Sequence, residues 1–416
     1  MFKIIGKIYL LGGLREGAVL VKGRKIQLIG KNLSNFNVPE LILKDHEIAL
    51  PGMVDLHVHV RGLNLSYKED WYTGTLSALK GGVTFIGDMP NTVPRTVTIE
   101  AFNKKVREAK NNAIVDYGIY FGVPESLDIY KEALSKGILG LKVYPEDFHS
   151  PILIELFKLN TEKGILTIVH PEDPEILKEE KKSVRAEIKA VERFSSISIK
   201  YGVSIHLTHL SSISSLERVL ESILKGGMLT FDVTPHHAFL NKDIELKLGS
   251  LAEVRPPLRS GEDRSGVYNS LKYLLANAYV TDHAPHALGE KLSETPPPGF
   301  PGLEVGLHLL INEVLKNRMP WNVIDLYSSK PAKLIKVPKG ELIPGNDADM
   351  VIVDTKAEWR IKGEELVSKA KYTPFEGQTI KGKVIRVFIR GVLAYDNDEV
   401  LVKKGHGMMY HGRTRS

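Results

Sequence analysis

Eight short apolar runs alternate with helical stretches through the middle of this chain, and that alternation restricts the fold more than any other feature. The runs are VDLHVHV, VTFIGDMP, IVDYGIYFG, GLKVYP, LTIVHPE, VSIHLTHLS, LTFDVTPH and AYVTDHAP. Most are followed by a helical pattern such as TIEAFNKKVREAKNN or SISSLERVLESILKGG. Eight parallel strands with intervening helices predict an α/β fold, a (β/α)8 TIM-like barrel, over residues 53–338. Residues 1–52 read instead as short strands separated by glycines and turn residues: KIYLLGG, REGAVLVKG, RKIQLIG and ELILKDHEIALPG. Strand signals return over residues 339–400, in GNDADMVIVD and GKVIRVFIRGVLAYD. The two ends are expected to pair into one small β-rich domain beside the barrel. Residues 401–416 form a basic tail, expected to be mobile.

Composition removes several classes of function. A chain of 416 residues with 43% hydrophobic and 25% charged residues is neither disordered nor collagenous. The 56 Lys and Arg against 50 Asp and Glu leave a net charge of +6, which raises the question of nucleic acid. The basic residues are interspersed with Glu, as in the solvated stretch over residues 171–193, and no basic–aromatic stripe occurs. Nucleic acid is therefore not an expected partner. No run approaches the ~18–20 apolar residues of a membrane span, and the first residues carry no targeting pattern. There are no cysteines, which excludes disulfides, thiolate zinc sites and a cysteine nucleophile. Their absence fits a reducing compartment, so a cytoplasmic protein is expected.

Chemistry-bearing residues gather at the C-terminal ends of the predicted strands, which form the active face of such a barrel. His57 and His59 are two apart on the first strand, so both imidazoles project to one side. His170, His209 and Asp282 end the fifth, sixth and eighth strands. Five such ligands are too many for one four-coordinate ion and suit two metals with a shared bridge. Lys142, at the end of the fourth strand, leaves two readings open. It is a plain cation facing a carboxylate or a substrate anion, or an amine that has taken up CO2 to become a bridging carbamate. Arg61, two residues past His59, lies on the same strand face, and its guanidinium suits a carboxylate.

The stretches DLHVHVRG, GGVTFIGDMPNTVP, GLKVYP, IVHPED, IHLTHLSS, VTPHHAFL, EVRPPLR and TDHAPHALGEK followed by PPPGFPGLE resemble dihydroorotases of the amidohydrolase superfamily. The likeness is nearest to the type found within the multifunctional animal pyrimidine-synthesis polypeptide. It implies reversible, zinc-dependent cyclisation of N-carbamoyl-L-aspartate to L-dihydroorotate plus water, a step of de novo pyrimidine (UMP) biosynthesis. It also implies two zinc ions per chain, bridged by a carboxylated Lys142 and a hydroxide. His57, His59, Lys142 and Asp282 would hold one ion, and Lys142, His170 and His209 the other. Asp282 would be the catalytic base. Arg61, Asn91 and His286 would hold the substrate carboxylate, while backbone groups of Arg255, Pro298 and Gly299 would meet the ring amides. Phe148 has two readings of equal weight, a loop that closes over substrate or an aromatic packed on the barrel rim. His206, His236, His237 and His283 are assigned to support or packing.

Two departures from the family pattern stand out. Gly62, Leu63 and Asn64 follow the HxHxR motif where many relatives have Glu-Pro-Gly. Thr208 and Asp232 replace a Cys and a Glu that bind a third metal in some relatives, so no third zinc is expected. A hydantoinase, dihydropyrimidinase or allantoinase would share the metal ligands but has no carboxylate for Arg61 and Asn91 to hold. A metal-free scaffold for aspartate carbamoyltransferase should have lost ligands that are intact here. The resemblance leaves room for a homo-oligomer or for association of the active enzyme with that transferase.

Overall fold

The computed structural model describes residues 1–31 and 33–412. Five strands come first: β1 (Phe2–Leu10), β2 (Gly13–Lys22), β3 (Lys25–Gly30), β4 (Glu40–Ile42) and β5 (Glu47–Pro51). Eight more follow: β6 (Met53–Val58), β7 (Val83–Asp88), β8 (Asp116–Ile119), β9 (Gly140–Val143), β10 (Leu166–Val169), β11 (Ile205–Leu207), β12 (Leu229–Val233) and β13 (Ala278–Tyr279). The last four are β14 (Met350–Arg360), β15 (Thr379–Ile389), β16 (Val392–Asp396) and β17 (Glu399–Val400).

Strands β6 to β13 are parallel and run in sequence order, β6-β7-β8 and β9-β10-β11-β12-β13. Two parallel bridges close the circle, Phe121 with Leu141 and Val58 with His283. Each of the eight predicted runs overlaps one of these strands. Strands β6 and β7 are buried at every residue, as expected of a sheet with side chains filling its interior and helices covering its outside. The helices begin at local signals. Asp70 accepts from the N–H groups of Tyr72 and Thr73 to start the helix Trp71–Lys80, and Thr98 does the same for Ile99–Asn112 through Ala101. Such a cap is worth about 1 kcal/mol.

The N- and C-terminal strands share one sheet in the order β17-β16-β15-β14-β5-β1-β2-β3, with β4 beside β1. The two ends of the chain meet where β5 pairs antiparallel with β14, Ile48 opposite Val353 and Pro51 opposite Met350. Gly52 links β5 directly to β6. A Cβ at Gly52 would stand 2.2 Å from Thr84 Oγ1 and 2.9 Å from Asp349 Cβ, so the approach of sheet to barrel excludes any side chain there.

Two segments run against expectation. The tail is packed at least as far as Gly412. Met408 N–H donates to Asp116 (2.8 Å), Tyr410 N–H to Tyr117 O (2.7 Å), and Gly412 N–H to Ile138 O (3.2 Å). These bonds secure the tail beside the start of β8, at the end of the barrel opposite the site. The last four residues of the expected tail lie outside the described residues. Between β14 and β15 the chain also leaves the small sheet, and its Leu366, Tyr372 and Phe375 pack with Val254, Phe300 and Val305 of the barrel. Among the described residues no helix is long and apolar enough to cross a membrane.

Candidate active site

The ends of β6, β9, β10, β11 and β13 converge on one cavity of about 300 Å³. All of the residues expected at the site line it except Lys142 and Phe148. Three of them sit in left-handed backbone, Arg61 (φ 66°), His209 (φ 44°) and Asp282 (φ 46°). For residues with a Cβ that conformation costs on the order of 1 kcal/mol or more each, and it re-aims side chains that a regular strand would direct elsewhere.

Hydrogen bonding determines which nitrogen of each histidine is free. His57 Nδ1 lies 2.7 Å from Thr208 Oγ1, whose own proton goes to Asp232 at 3.0 Å. The Thr208 oxygen therefore accepts, His57 carries its proton on Nδ1, and Nε2 keeps a lone pair. His59 is arranged alike: Nδ1 donates to Asn91 Oδ1 at 2.7 Å. Both Nε2 atoms then face Asp282 Oδ1, at 3.3 Å from His57 and 3.1 Å from His59. Burial, together with the charge of Lys142 for His57 and of Arg61 for His59, pushes both imidazoles well below their ordinary pKa. Two unprotonated Nε2 atoms thus meet the buried Asp282 carboxyl. Such a set is repulsive alone and complementary to a cation. Their ligating atoms all lie within 4.8 Å of one another.

A second set adjoins the first. The rings of His170 and His209 are 4.5 Å apart, and His209 is 5.2 Å from His57. His170 Nε2 donates to Glu172 at 2.8 Å, leaving Nδ1 free. His209 Nδ1 is buried without a hydrogen-bond partner. Lys142 Nζ is likewise buried and unpartnered, 5.2 Å from the centroid of the Tyr144 ring. Burial pushes the Lys142 amine well down and the Asp282 carboxyl well up from their ordinary values. A buried ammonium with no acceptor is a costly arrangement, and a neutral amine beside unpaired imidazoles is open to modification or ligation. These residues fit a metal centre.

One wall of the cavity is cationic. Arg61 is 6% exposed; its Nε donates to Pro285 O (3.1 Å), and its Nη2 stands 3.0 Å from His286 Nε2. Asn91 has given Oδ1 to His59, so what it offers a ligand is its N–H2. Arg255, Pro298 and Gly299 also line the cavity, with Pro298 O 3.1 Å from His286 Nε2. The Arg255 side chain turns away to Lys181 O, and the Gly299 N–H is already donated to Glu253 O at 3.0 Å. Gly299 has φ 143°, and a Cβ there would meet Ala284 O at 2.3 Å, which explains the glycine.

Phe148 does not line the cavity. It is 2% exposed, with its ring 4.8 Å from Phe194 and the Arg193 guanidinium over its face. Its side chain points back onto the helix Val184–Tyr201. Of the other histidines, His206 bonds Asp232 (2.7 Å), His237 lies between Thr234 and Pro256 O, and His283 Nδ1 accepts from Gly302 N–H. Thr208 and Asp232 serve the site indirectly, by orienting His57. Tyr144, Pro145 and Val254 also line the cavity and were not anticipated. Tyr144 carried a readable signal, since it lies two residues beyond Lys142 and hence on the same strand face.

A model of the amidohydrolase family matches residues 48–394. The chain belongs to the amidohydrolase family. This amidohydrolase is 33% identical to a dihydroorotase of Pyrococcus abyssi, over 96% of each chain. It is also 33% identical to the multifunctional protein CAD of Squalus acanthias, over 86% of this chain and 15% of that protein. Among solved structures, the L-hydantoinase (dihydropyrimidinase) of Arthrobacter aurescens superposes with a TM-score of 0.93 at 26% identity, covering 100% of this amidohydrolase and 99% of that chain. A D-hydantoinase of Bacillus sp. AR9 gives 0.90 at 25% identity, with full coverage of both chains. The fold is thus an amidohydrolase barrel with a β domain built from both ends of the chain.

Proposed function

We propose that this amidohydrolase is a dihydroorotase, interconverting N-carbamoyl-L-aspartate and L-dihydroorotate in pyrimidine biosynthesis. The observation that carries the reading is the cationic wall. Arg61, His286 and Asn91 converge beside the His57–His59–Asp282 group, where a cyclic amide bearing a free carboxylate would need its anchor. The dihydroorotase relatives support the same substrate. The hydantoinase structures share the barrel and the type of site, and fold alone does not choose a substrate.

His57, His59, Asp282 and Lys142 would hold one zinc, and Lys142, His170 and His209 the other, with Lys142 carboxylated. When bound, the two ions supply a water that ionises near neutral pH and a Lewis acid for the scissile carbonyl. Asp282 takes the proton from the attacking water and delivers it to the departing ring nitrogen. In the synthetic direction it removes the ureido proton. Arg61, Asn91 and His286 hold the carboxylate so that the amide meets Asp282 in one orientation. With the Gly299 N–H committed to Glu253 and Pro298 lacking one, backbone recognition of the ring falls to the Arg255 N–H and to carbonyl groups lining the cavity. The substrate is a small molecule, and association with aspartate carbamoyltransferase or with further copies of the chain is compatible with this chemistry.

The test is turnover of dihydroorotate by the zinc- and bicarbonate-loaded protein, followed by ultraviolet absorbance beside hydantoin and allantoin. Ring opening of dihydroorotate alone supports the proposal. Turnover of hydantoin or allantoin instead would retain the metal centre and overturn the carboxylate anchor.

A further inference from the structure

We propose that Lys68 is a positioning residue: its ammonium holds His286 in the tautomer protonated on Nε2, so that Arg61 spends no donor on the ring and keeps Nη2 for the substrate carboxylate. The inference rests on the anion-binding reading of that wall.

Lys68 lies in the loop between β6 and the helix Trp71–Lys80, with its side chain 12% exposed. Its Nζ stands 3.1 Å from His286 Nδ1 and 3.1 Å from Glu290 Oε1. An ammonium has three N–H groups and no lone pair, so Nδ1 must be the acceptor. The imidazole is neutral, because burial, then the charges of Arg61, Lys68 and Lys291, push it down to about 3. Its single proton is therefore on Nε2.

That assignment changes the meaning of the contact on the other side of the ring. Nε2 is 3.1 Å from Pro298 O, which can accept its proton, and 3.0 Å from Arg61 Nη2, which cannot. With that proton given to Pro298 O, His286 has no lone pair for Arg61 Nη2, which keeps its N–H groups without an acceptor on the ring. A carboxylate supplies the acceptor that the ring does not. The opposite tautomer has a competitor for its proton close by. Glu290 Oε2 is 3.6 Å from Nδ1, just beyond hydrogen-bond reach, while Tyr67 and Lys68 both donate to Oε1 of the same carboxylate. Without Lys68, Glu290 is the strongest acceptor near the ring, and it would draw the proton to Nδ1 and turn a lone pair toward Arg61. Arg61 would then spend a donor on His286, and the substrate would lose that one hydrogen bond.

The tautomer can be read directly from two-bond proton–nitrogen correlation spectra of zinc-loaded protein labelled with 15N-histidine. The His286 signal is assigned by its loss in His286→Gln. We expect Nε2–H in the wild type, in Lys68→Arg and in Glu290→Gln, and Nδ1–H in Lys68→Met. In kinetics, Lys68→Met is expected to raise KM for dihydroorotate roughly 10-fold, the equivalent of one hydrogen bond to a charged group. Its kcat should change less than about twofold, and Lys68→Arg should restore KM. An Nδ1–H signal in the wild type, or an unchanged Nε2–H in folded Lys68→Met, overturns the role; the wild-type spectrum decides alone if that variant does not fold. A wild type inactive on dihydroorotate that still shows the switch would support the role of Lys68 and overturn the substrate instead.

Discussion

Exchanging Arg61 for Lys keeps the charge and removes the fork, which makes it a direct probe of how the substrate is anchored. The backbone at residue 61 is left-handed, and Lys adopts that conformation at the same cost as Arg, so the comparison is not confounded by strain. The guanidinium is 6% exposed and already gives Nε to Pro285 O, leaving its Nη groups for an anion. A lysine of shorter reach can supply the charge but not both the Pro285 bond and a two-point contact with a carboxylate. A charge-assisted hydrogen bond in a buried site contributes about 1.5–3 kcal/mol. At about 1.4 kcal/mol per decade, Arg61→Lys should raise KM for dihydroorotate by roughly 10- to 150-fold. The effect belongs in KM because the carboxylate is bound equally in ground and transition states. Initial rates by ultraviolet absorbance, with zinc content measured on the same samples, give both constants. A fall confined to kcat, or the same loss on a hydantoin that has no carboxylate, would refute the anchor.

On the proposed reading, Asp282→Ala should lower turnover by at least about 10³-fold in both directions, through lost proton transfer and a lost ligand; near-wild-type rates of ring opening and closure would remove its role as base. Dialysis against a chelator should abolish activity, and zinc should restore it only with bicarbonate present if Lys142 is carboxylated. Intact-mass spectrometry under native conditions should then show the added CO2, absent in Lys142→Ala. Glu304 provides a test of stability rather than catalysis. Burial raises its carboxyl to about 7, although Ser77 and the N–H groups of Val367 and Ser368 donate to it. Below the unfolded value both states are protonated and the contribution is full. As pH rises from about 4.5 to 7 the unfolded chain ionises first, and roughly 3 kcal/mol of stability is lost. Urea unfolding at pH 5 and pH 8 should show that decline in the wild type and a flatter profile in Glu304→Gln; parallel profiles would contradict the burial argument.

The barrel was legible because its strands are short and buried on both faces, so each left an apolar run of its own. The site was legible for a related reason. Side chains that converge on a barrel mouth come from strand ends, and His57, His59, His170, His209 and Asp282 all interrupt or close an apolar run. What escaped notice depends on partners distant in sequence. Phe148 differs from a mobile loop aromatic only because Phe194 and Arg193 lie against it. The tail reads as a basic extension, yet Met408 and Tyr410 find free backbone groups beside β8. Lys68 looks like any surface lysine until His286 and Glu290 are brought to it. The barrel-packed segment between β14 and β15 has no local signature either, since Tyr372 acquires its purpose from Gly299 O, which its hydroxyl meets at 3.1 Å.

The pairing of β5 with β14 has a consequence for how such a chain is made. On the ribosome, β1 to β5 emerge first, and the strand that covers the open side of β5 is synthesised only after the whole barrel. Until then Ile48, Ala49 and Leu50 border an exposed edge, the kind of surface that templates association between nascent chains. Closure of so long an intervening segment is slow, and it is rewarded only when both ends are present. Biogenesis of this protein should therefore be more sensitive to crowding of nascent chains and to chaperone supply than the stability of the finished fold would suggest.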